Sequence, residues 1–124
     1  MTMEQTIAKL VDAWNDQDVD GIVAAFAPHG SFHEAAGPDQ EGRTSTGPEA
    51  IRAALERVFG AFPEARIVPA GPLVVAGNRA LCEWDWEFTT NSGNKRVLRG
   101  IDLFAFEGAK VLHKSTYLKQ YTPR

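Results

Sequence analysis

The chain has 124 residues, of which 44% are hydrophobic and 23% are charged, and its formal net charge is −3. This length and composition predict a single domain over residues 1–124, large enough to bury a core without disulfides or a structural metal. The acidic balance and the lack of a basic cluster argue against nucleic acid as a partner. Cys82 is the only cysteine, no apolar run reaches the roughly 20 residues of a membrane span, and the N-terminus lacks a signal-peptide pattern. We therefore expect a cytoplasmic protein with no membrane partner.

The N-terminal half predicts helices separated by one short strand. In chain order, the predicted elements are a helix over residues 4–15, a shorter helix over 21–27 that ends before Pro28, a strand over 31–35, a long loop over 36–47 and a third helix from Pro48. The first helix is predicted because apolar residues recur at helical spacing between Ile7 and Trp14. The third begins at Thr46-Gly47-Pro48-Glu49, which has the capping-box pattern with proline in the first turn.

The C-terminal half changes to the two-residue period of strands. Pro69 and Pro72 predict an edge or bulged strand over residues 65–77, and residues 80–88, "ALCEWDWEF", alternate between an apolar face and a mostly acidic one. We predict an α+β fold in which residues 80–88, 97–106 and 111–121 are adjacent antiparallel strands of a strongly curved, cone-shaped sheet. The helices cover its concave face, and a pocket remains at the open end, where a ligand is expected.

Three stretches of the chain resemble the nuclear transport factor 2-like superfamily: "LVDAWNDQDVDGIVAAFAPHGSFHE", "TGPEAIRAAL" and "GIDLFAFEGAKVLHKSTYLKQ". They are most similar to the SnoaL-like polyketide cyclases and the ketosteroid-isomerase-like proteins, and the element order matches over nearly the whole chain. The resemblance implies a mixed or antiparallel cone-shaped sheet wrapped around three N-terminal helices. It is less specific for activity, because this superfamily includes isomerases, dehydratases, cyclases, epoxide hydrolases and non-catalytic binders.

The resemblance also implies roles for two carboxylates. Glu34 falls where ketosteroid isomerases place the aspartate that abstracts a proton next to a carbonyl. Asp102 falls where they keep a protonated aspartic acid, and where the SnoaL-like cyclases place an acid/base aspartate. Leu10 stands at the position of the isomerase tyrosine and cannot donate a hydrogen bond, which argues against steroid isomerisation. The strand that carries Trp84 and Trp86 lacks the arginine and aspartate of epoxide hydrolase relatives, which argues against epoxide hydrolysis.

The pattern around Asp102 supports a place in the pocket. Two-residue alternation groups Asp102 with Leu98, Phe104 and Phe106, the more apolar face of its strand. A carboxylate in that setting costs several kcal/mol unless it is paired or protonated. The alternative is an aspartate on the convex face, paired with Arg99 or with a lysine of a neighbouring strand.

Lys114 is the third candidate for a catalytic residue. It shares a strand face with Thr116 and Leu118, and in a cone-shaped sheet that face looks inwards. A lysine there would pair with Asp102 or Glu34 and keep a carboxylate ionised, which favours general-base chemistry over hydrogen-bond donation. The alternative is a lysine whose long side chain reaches the solvent at the rim.

Glu34 has a weaker case from the residues alone, because glutamates at strand ends are usually solvated. Only the resemblance favours a base in the pocket. His33 should point to the opposite side of the strand if the strand is regular. The three histidines have no metal-ligand spacing, and Cys82 has no histidine placed to activate it. We therefore expect no metal site, no thiol nucleophile and no cofactor.

Aromatic and aliphatic side chains supply candidates for substrate binding. Trp84 and Trp86 share one strand face, and at least one of them should form a pocket wall that stacks on a flat ligand, although such residues more often mark core or dimer contacts. Phe104 and Leu118 are further candidates. Trp14 is a candidate too, although its place in the first helix is also typical of a core residue.

Two hypotheses for the function follow. The first is a small cofactor-independent enzyme that carries out isomerisation, cyclisation or dehydration of an apolar, carbonyl-bearing small molecule. In it, Glu34 is the base, Asp102 the acid or its partner, and Lys114 a tuning residue or oxyanion donor. The second is a non-catalytic ligand-binding or assembly module, in which Asp102 and Lys114 form only a buried pair.

The convex face of the sheet predicts self-association. This face would carry Leu81, Ile101 and Leu103 among charged residues. Apolar surface of that extent usually meets a partner, so we expect a homodimer that forms sheet to sheet.

Overall fold

The computed structural model describes all residues from Met1 to Arg124 and contains three helices and seven strands. The helices are α1 (Met3–Asn15), α2 (Val19–Ala24) and α3 (Pro48–Ala61). The strands are β1 (Phe26–His33), β2 (Thr44–Thr46), β3 (Arg66–Pro69), β4 (Val74–Ala76), β5 (Arg79–Thr89), β6 (Lys95–Glu107) and β7 (Lys110–Leu118). None of the helices is long and apolar enough to cross a membrane.

All seven strands form one mixed, curved sheet that does not close on itself. The order is β2-β1-β7-β6-β5-β3, with β4 paired to β5 beside β3. β1 runs parallel to β7, and the other neighbouring strands are antiparallel. The predicted β5–β6–β7 meander is therefore confirmed, and its register sets Asp102 opposite Cys82 on one side and Thr116 on the other.

The helices cover one face of this sheet, where the core lies. Ile22 of α2, together with Ile51 and Leu55 of α3, is almost completely buried, and all three pack in one cluster with Phe104 of β6 and Val111 of β7. Burial alternates along β6, so that even-numbered residues from position 100 to 106 are buried and the odd-numbered ones between them are only half-buried. The two-residue period of the sequence therefore identifies the inner face correctly.

The second helix and the first strand differ from the prediction. The helix ends at Ala24 and the strand begins at Phe26, so Pro28 lies inside a strand and not after a helix. Phe26 is buried and pairs with Val111 of β7, which gives this segment a tertiary reason to be extended. The register of the β1–β7 pair shifts between Phe26 and Ser31. That irregularity accommodates a proline, which has no N–H to donate to a neighbouring strand.

The predicted capping box at the third helix is wrong. The N-cap of α3 is Gly47, with φ of 86° and no side-chain capping bond. Thr46 is unavailable because it belongs to β2, where its hydroxyl lies 3.1 Å from the hydroxyl of Ser31. The capping box occurs instead at α1, where Thr2 and Gln5 exchange side-chain to backbone hydrogen bonds of 3.1 and 2.9 Å.

Gly100 fixes how closely β5 and β6 pack on the inner face. A Cβ atom at this position would lie 2.5 Å from the indole ring of Trp84, the residue directly opposite on β5. The missing side chain leaves the room that the Trp84 ring occupies. The indole can then lie along β6 and reach the next inward-facing residue, Asp102.

Candidate functional site

A cavity of about 240 Å³ lies between the helices and the concave face of the sheet. Of the 18 residues around it, 14 are hydrophobic, which fits the mostly apolar character of small-molecule sites. The lining residues are Leu10, Val11, Trp14, Phe32, Glu34, Ala35, Ala36, Val58, Phe62, Ile67, Cys82, Trp84, Trp86, Asp102, Phe104, Lys114, Thr116 and Leu118. All eight residues that the sequence indicates as catalytic or substrate-binding candidates are among them.

Asp102 is the most thoroughly bonded polar group of the cavity. The residue is 4% exposed. Trp84 Nε1 donates to its Oδ2 at 3.0 Å, and the hydroxyl of Thr116 donates to its Oδ1 at 2.7 Å. Lys114 Nζ lies 3.2 Å from the same Oδ1. Each of these three neighbours is a donor, so the carboxylate accepts hydrogen bonds at both of its oxygens.

Lys114 is buried at the cavity wall and does not reach the rim. The residue is 3% exposed. Beyond Asp102 and the hydroxyl of Thr116, its Nζ faces two aromatic rings, Trp14 at 4.5 Å and Phe32 at 4.7 Å from the ring centroids. A buried ammonium is costly unless it is paired, and aromatic faces add a favourable cation–π contact. The pair with Asp102, one of the two expected for this lysine, is therefore the one that forms.

Glu34 occupies a different part of the cavity wall, just beyond the end of β1. Its side chain is 14% exposed, and Arg57 Nη2 of α3 lies 2.6 Å from its Oε2. Its cation is therefore Arg57 and not Lys114, which was the other expected partner. Arg57 could not be found from the sequence, because a charged residue on the outer side of a helix normally looks solvated. Glu34 and Asp102 both border one cavity, each with a cation of its own.

The backbone around Glu34 is held by the loop that follows β1. Glu34 N donates to the carbonyl of Arg43 at 2.9 Å, and Arg43 N donates to the carbonyl of Ala36 at 3.0 Å. Gly42, with φ of 82°, packs so tightly that a Cβ atom there would collide with the carbonyl oxygen of Glu34. The glycine is needed for both its left-handed conformation and this close approach.

The aromatic wall is built mainly from β5. Trp84 is buried and donates to Asp102, whereas Trp86 is half-buried and stacks on Phe88 with ring centroids 4.1 Å apart. Phe62 meets Trp86 edge-on at 4.9 Å. Phe104 and Leu118 border the cavity as well. Trp14 packs against the core cluster and also lines the cavity, so the two expectations for it are not exclusive.

Cys82 borders the cavity but is poorly suited to act as a nucleophile. Burial, together with the nearby charge of Asp102, raises the pKa of its thiol to about 11, while the charge of Lys114 opposes the change. The thiolate is the reactive form. At neutral pH, therefore, the side chain is a neutral and largely apolar part of the wall.

His33 and His113 lie on the outer face, away from the cavity. His33 Nδ1 is 2.9 Å from the hydroxyl of Thr44, and the two imidazole rings are 5.8 Å apart. Burial lowers the pKa of His33, and the neighbouring His113 lowers it further. The opposite orientations of His33 and Glu34 agree with the alternation expected for this strand. No group of three or more His, Cys, Asp or Glu side chains is arranged to hold a metal ion.

A profile of the SnoaL-like domain matches residues 7–113, so the chain belongs to the SnoaL-like domain family, within the nuclear transport factor 2-like superfamily. This finding confirms the family resemblance of the sequence. No curated protein sequence matches the chain.

Several crystal structures have the same fold. A nuclear transport factor 2-like protein of unknown function from Burkholderia pseudomallei is 21% identical, with a TM-score of 0.82 over 94% of this chain and 90% of that one. A putative SnoaL-like polyketide cyclase from Jannaschia is 15% identical, with a TM-score of 0.81 over 94% and 85%. A protein with a ketosteroid isomerase-like fold from Catenulispora acidiphila, in complex with trimethylamine, is 17% identical, with a TM-score of 0.81 over 94% and 86%. At these identities the likeness concerns the fold alone.

The Asp102–Lys114 pair yields a prediction about stability. Asp102→Asn and Lys114→Met should each lower the free energy of unfolding by about 3 kcal/mol, because each leaves the other charge buried without its partner. The double variant should lose less than the sum of the two. Urea unfolding of the four proteins measures this coupling.

The exposed pair between Arg52 and Asp20, whose side chains are 43% and 85% exposed, is the control. Arg52→Met should change the free energy of unfolding by no more than about 1 kcal/mol. Simple additivity of Asp102→Asn and Lys114→Met would contradict the coupling.

The raised pKa of Cys82 yields a second prediction. At pH 8 iodoacetamide should alkylate the folded protein roughly a hundredfold more slowly than the urea-unfolded chain, because a shift of the thiol pKa from 9.0 to about 11 reduces the thiolate fraction by that factor. The rate should rise with pH up to the thiol pKa. Mass spectrometry of timed samples measures it, and equal rates in the folded and unfolded states would contradict the raised pKa.

Proposed function

We propose that this protein catalyses proton transfer at the carbon next to the carbonyl group of an apolar small molecule, without a cofactor. The observation that carries the proposal is the pair of carboxylates on one apolar cavity, each with its own cation. Asp102 has donors on both oxygens. Glu34 has its one hydrogen bond at Oε2, so its Oε1 is free to accept a proton.

In the proposed step, Glu34 Oε1 removes a proton from the carbon next to the carbonyl, and the electron pair of that bond moves to form an enolate. The ammonium of Lys114 provides the positive charge and the hydrogen-bond donor that stabilise the negative enolate oxygen. Asp102 pairs with Lys114 and holds it in place. Dry, apolar walls strengthen these electrostatic effects.

The fate of the enolate decides the reaction class. Return of the proton to another carbon gives isomerisation, attack of the enolate carbon on a second carbonyl gives cyclisation, and loss of a hydroxyl from the neighbouring carbon gives dehydration. All three need the same base and the same cationic partner. A putative SnoaL-like polyketide cyclase is among the structural neighbours of this chain. This likeness supports the three reaction classes but does not select one of them.

The alternative is a binding module that holds a ligand without changing it. Asp102 and Lys114 already have hydrogen-bond and ion-pair partners inside the protein, and this favours the alternative. Leu10, which lines the cavity at the position of the isomerase tyrosine, favours it too, because a leucine cannot donate to an oxyanion.

An exchange experiment separates the two functions. In D₂O the protein should accelerate the replacement of the acidic CH₂ protons of 2-tetralone, a flat and apolar ketone, by deuterium. Glu34→Gln should lower the enzymatic rate by a hundredfold or more, since the side chain keeps its shape but cannot take a proton. NMR follows the loss of the proton signal.

The matched control is Glu56→Gln, which removes an exposed carboxylate from the same helix as Arg57 and should leave the rate unchanged. The fluorescence of the three tryptophans, all of which line the cavity, reports 2-tetralone binding in each variant. Binding without any exchange above the Glu34→Gln background would favour the binding module and contradict the enzyme.

We also propose that the protein is a homodimer formed through the outer faces of two sheets. Leu81 and Leu103 lie directly opposite each other on this face and are only half-buried. Ile101 is also half-buried, and its cross-strand neighbour Tyr117 is 55% exposed. A contiguous apolar patch of this kind is typical of an interface between identical chains.

Analytical ultracentrifugation tests the dimer. At tens of micromolar, the protein should sediment with twice the chain mass of 13.6 kDa. Leu103→Glu should shift it to the monomer, because the new charge would be buried between the two sheets. Val74→Glu, on an exposed residue of the short strand β4, should leave the dimer intact. Sedimentation of the unaltered protein as a monomer would contradict the proposal.

A further inference from the structure

Arg57 and Glu34 form an ion pair unlike the others on the surface of the protein. The carboxylates that pair with Arg52, Arg99 and His29 have side chains between 30% and 85% exposed. The side chain of Glu34 is only 14% exposed, and the carboxylate belongs to the cavity wall, which Arg57 itself does not line. The pair therefore joins a group inside the cavity to a cation outside it.

The two ends of this pair are anchored differently. Arg57 lies two residues after Leu55 on α3. Leu55 is 1% exposed, so the helix that carries the arginine is packed into the core. Glu34 lies beyond the end of β1, in a segment held by its backbone contact with Arg43. No side chain other than Arg57 binds the carboxylate of Glu34. The direction of that carboxylate therefore depends on the arginine.

The geometry points to Arg57 as the positioning residue for Glu34, an inference that rests on the proposed function of Glu34 as a base. Arg57 binds Oε2 and so turns Oε1 of the same carboxylate to the cavity. Without Arg57, the Glu34 side chain would sample several rotamers and turn towards water, with loss of the alignment on which proton transfer depends.

The other charged groups near the cavity cannot take over this task. Asp102 of β6 and Lys114 of β7 face the cavity, but their charges are engaged with each other. Arg43 meets Glu34 through its backbone carbonyl, and its side chain makes no hydrogen bond or ion pair with the carboxylate. Among these groups, only Arg57 contacts the carboxylate of Glu34 directly.

The experiment measures 2-tetralone exchange against substrate concentration in Arg57→Met. We expect kcat to fall roughly tenfold while KM changes little, because Arg57 positions the base and does not line the cavity. Arg57→Lys keeps the positive charge and should recover most of the rate.

Arg52→Met is the matched control, since Arg52 lies on the same helix with a similar exposure and pairs with Asp20 on the surface. It should behave like the unaltered protein. Circular dichroism checks that all variants fold, and Arg57→Gln serves as a second neutral variant. Unaltered kcat in Arg57→Met and Arg57→Gln, with a large loss in Glu34→Gln, would overturn the inference alone. Unaltered exchange in Glu34→Gln would instead overturn the proposed function and the inference with it.

Discussion

The buried pair of Asp102 and Lys114 is the constraint on which the inner face of the sheet depends. Two charges can stay in an apolar interior only if almost every donor and acceptor finds a partner. The registers of the three central strands satisfy this condition, because they set Thr116 opposite Asp102 and Trp84 one inward-facing position away. Gly100 provides the space for the Trp84 ring. A shift of either neighbouring strand by one residue would turn these partners to the outer face.

The same pair divides the cavity into two regions with different electrostatic character. Around Asp102 the carboxylate, the ammonium and the hydroxyl satisfy one another, so this region is rigid and locally neutral. Around Glu34 the cation lies outside the cavity and one carboxylate oxygen has no partner. Different surroundings allow two carboxylates to have different roles within one site. In the proposed function, this contrast is the physical reason to give proton removal to Glu34 and a supporting role to Asp102.

Local patterns predicted the features that depend on neighbours along the chain. Alternation along β6 identified the inner face of the sheet, and with it the position of Asp102, because strand geometry repeats every two residues whatever the tertiary context. The features that were missed depend on distant parts of the chain. Pro28 lies in a strand because Phe26 pairs with Val111. Glu34 pairs with Arg57 because α3 passes close to the end of β1. No spacing between such residues in the sequence encodes these contacts.

In the proposed function, the cavity replaces one kind of oxyanion partner with another. Leu10 lines the cavity where the resemblance places a tyrosine hydroxyl, so a neutral donor from α1 is absent there. Lys114 contributes an ammonium that is paired with Asp102 and packed against the rings of Trp14 and Phe32. In the proposed reaction, an ammonium in a dry site stabilises an enolate more strongly than a neutral hydroxyl does. The ammonium is a buried charge, which is unfavourable unless the donors and acceptors of β5, β6 and β7 compensate for it.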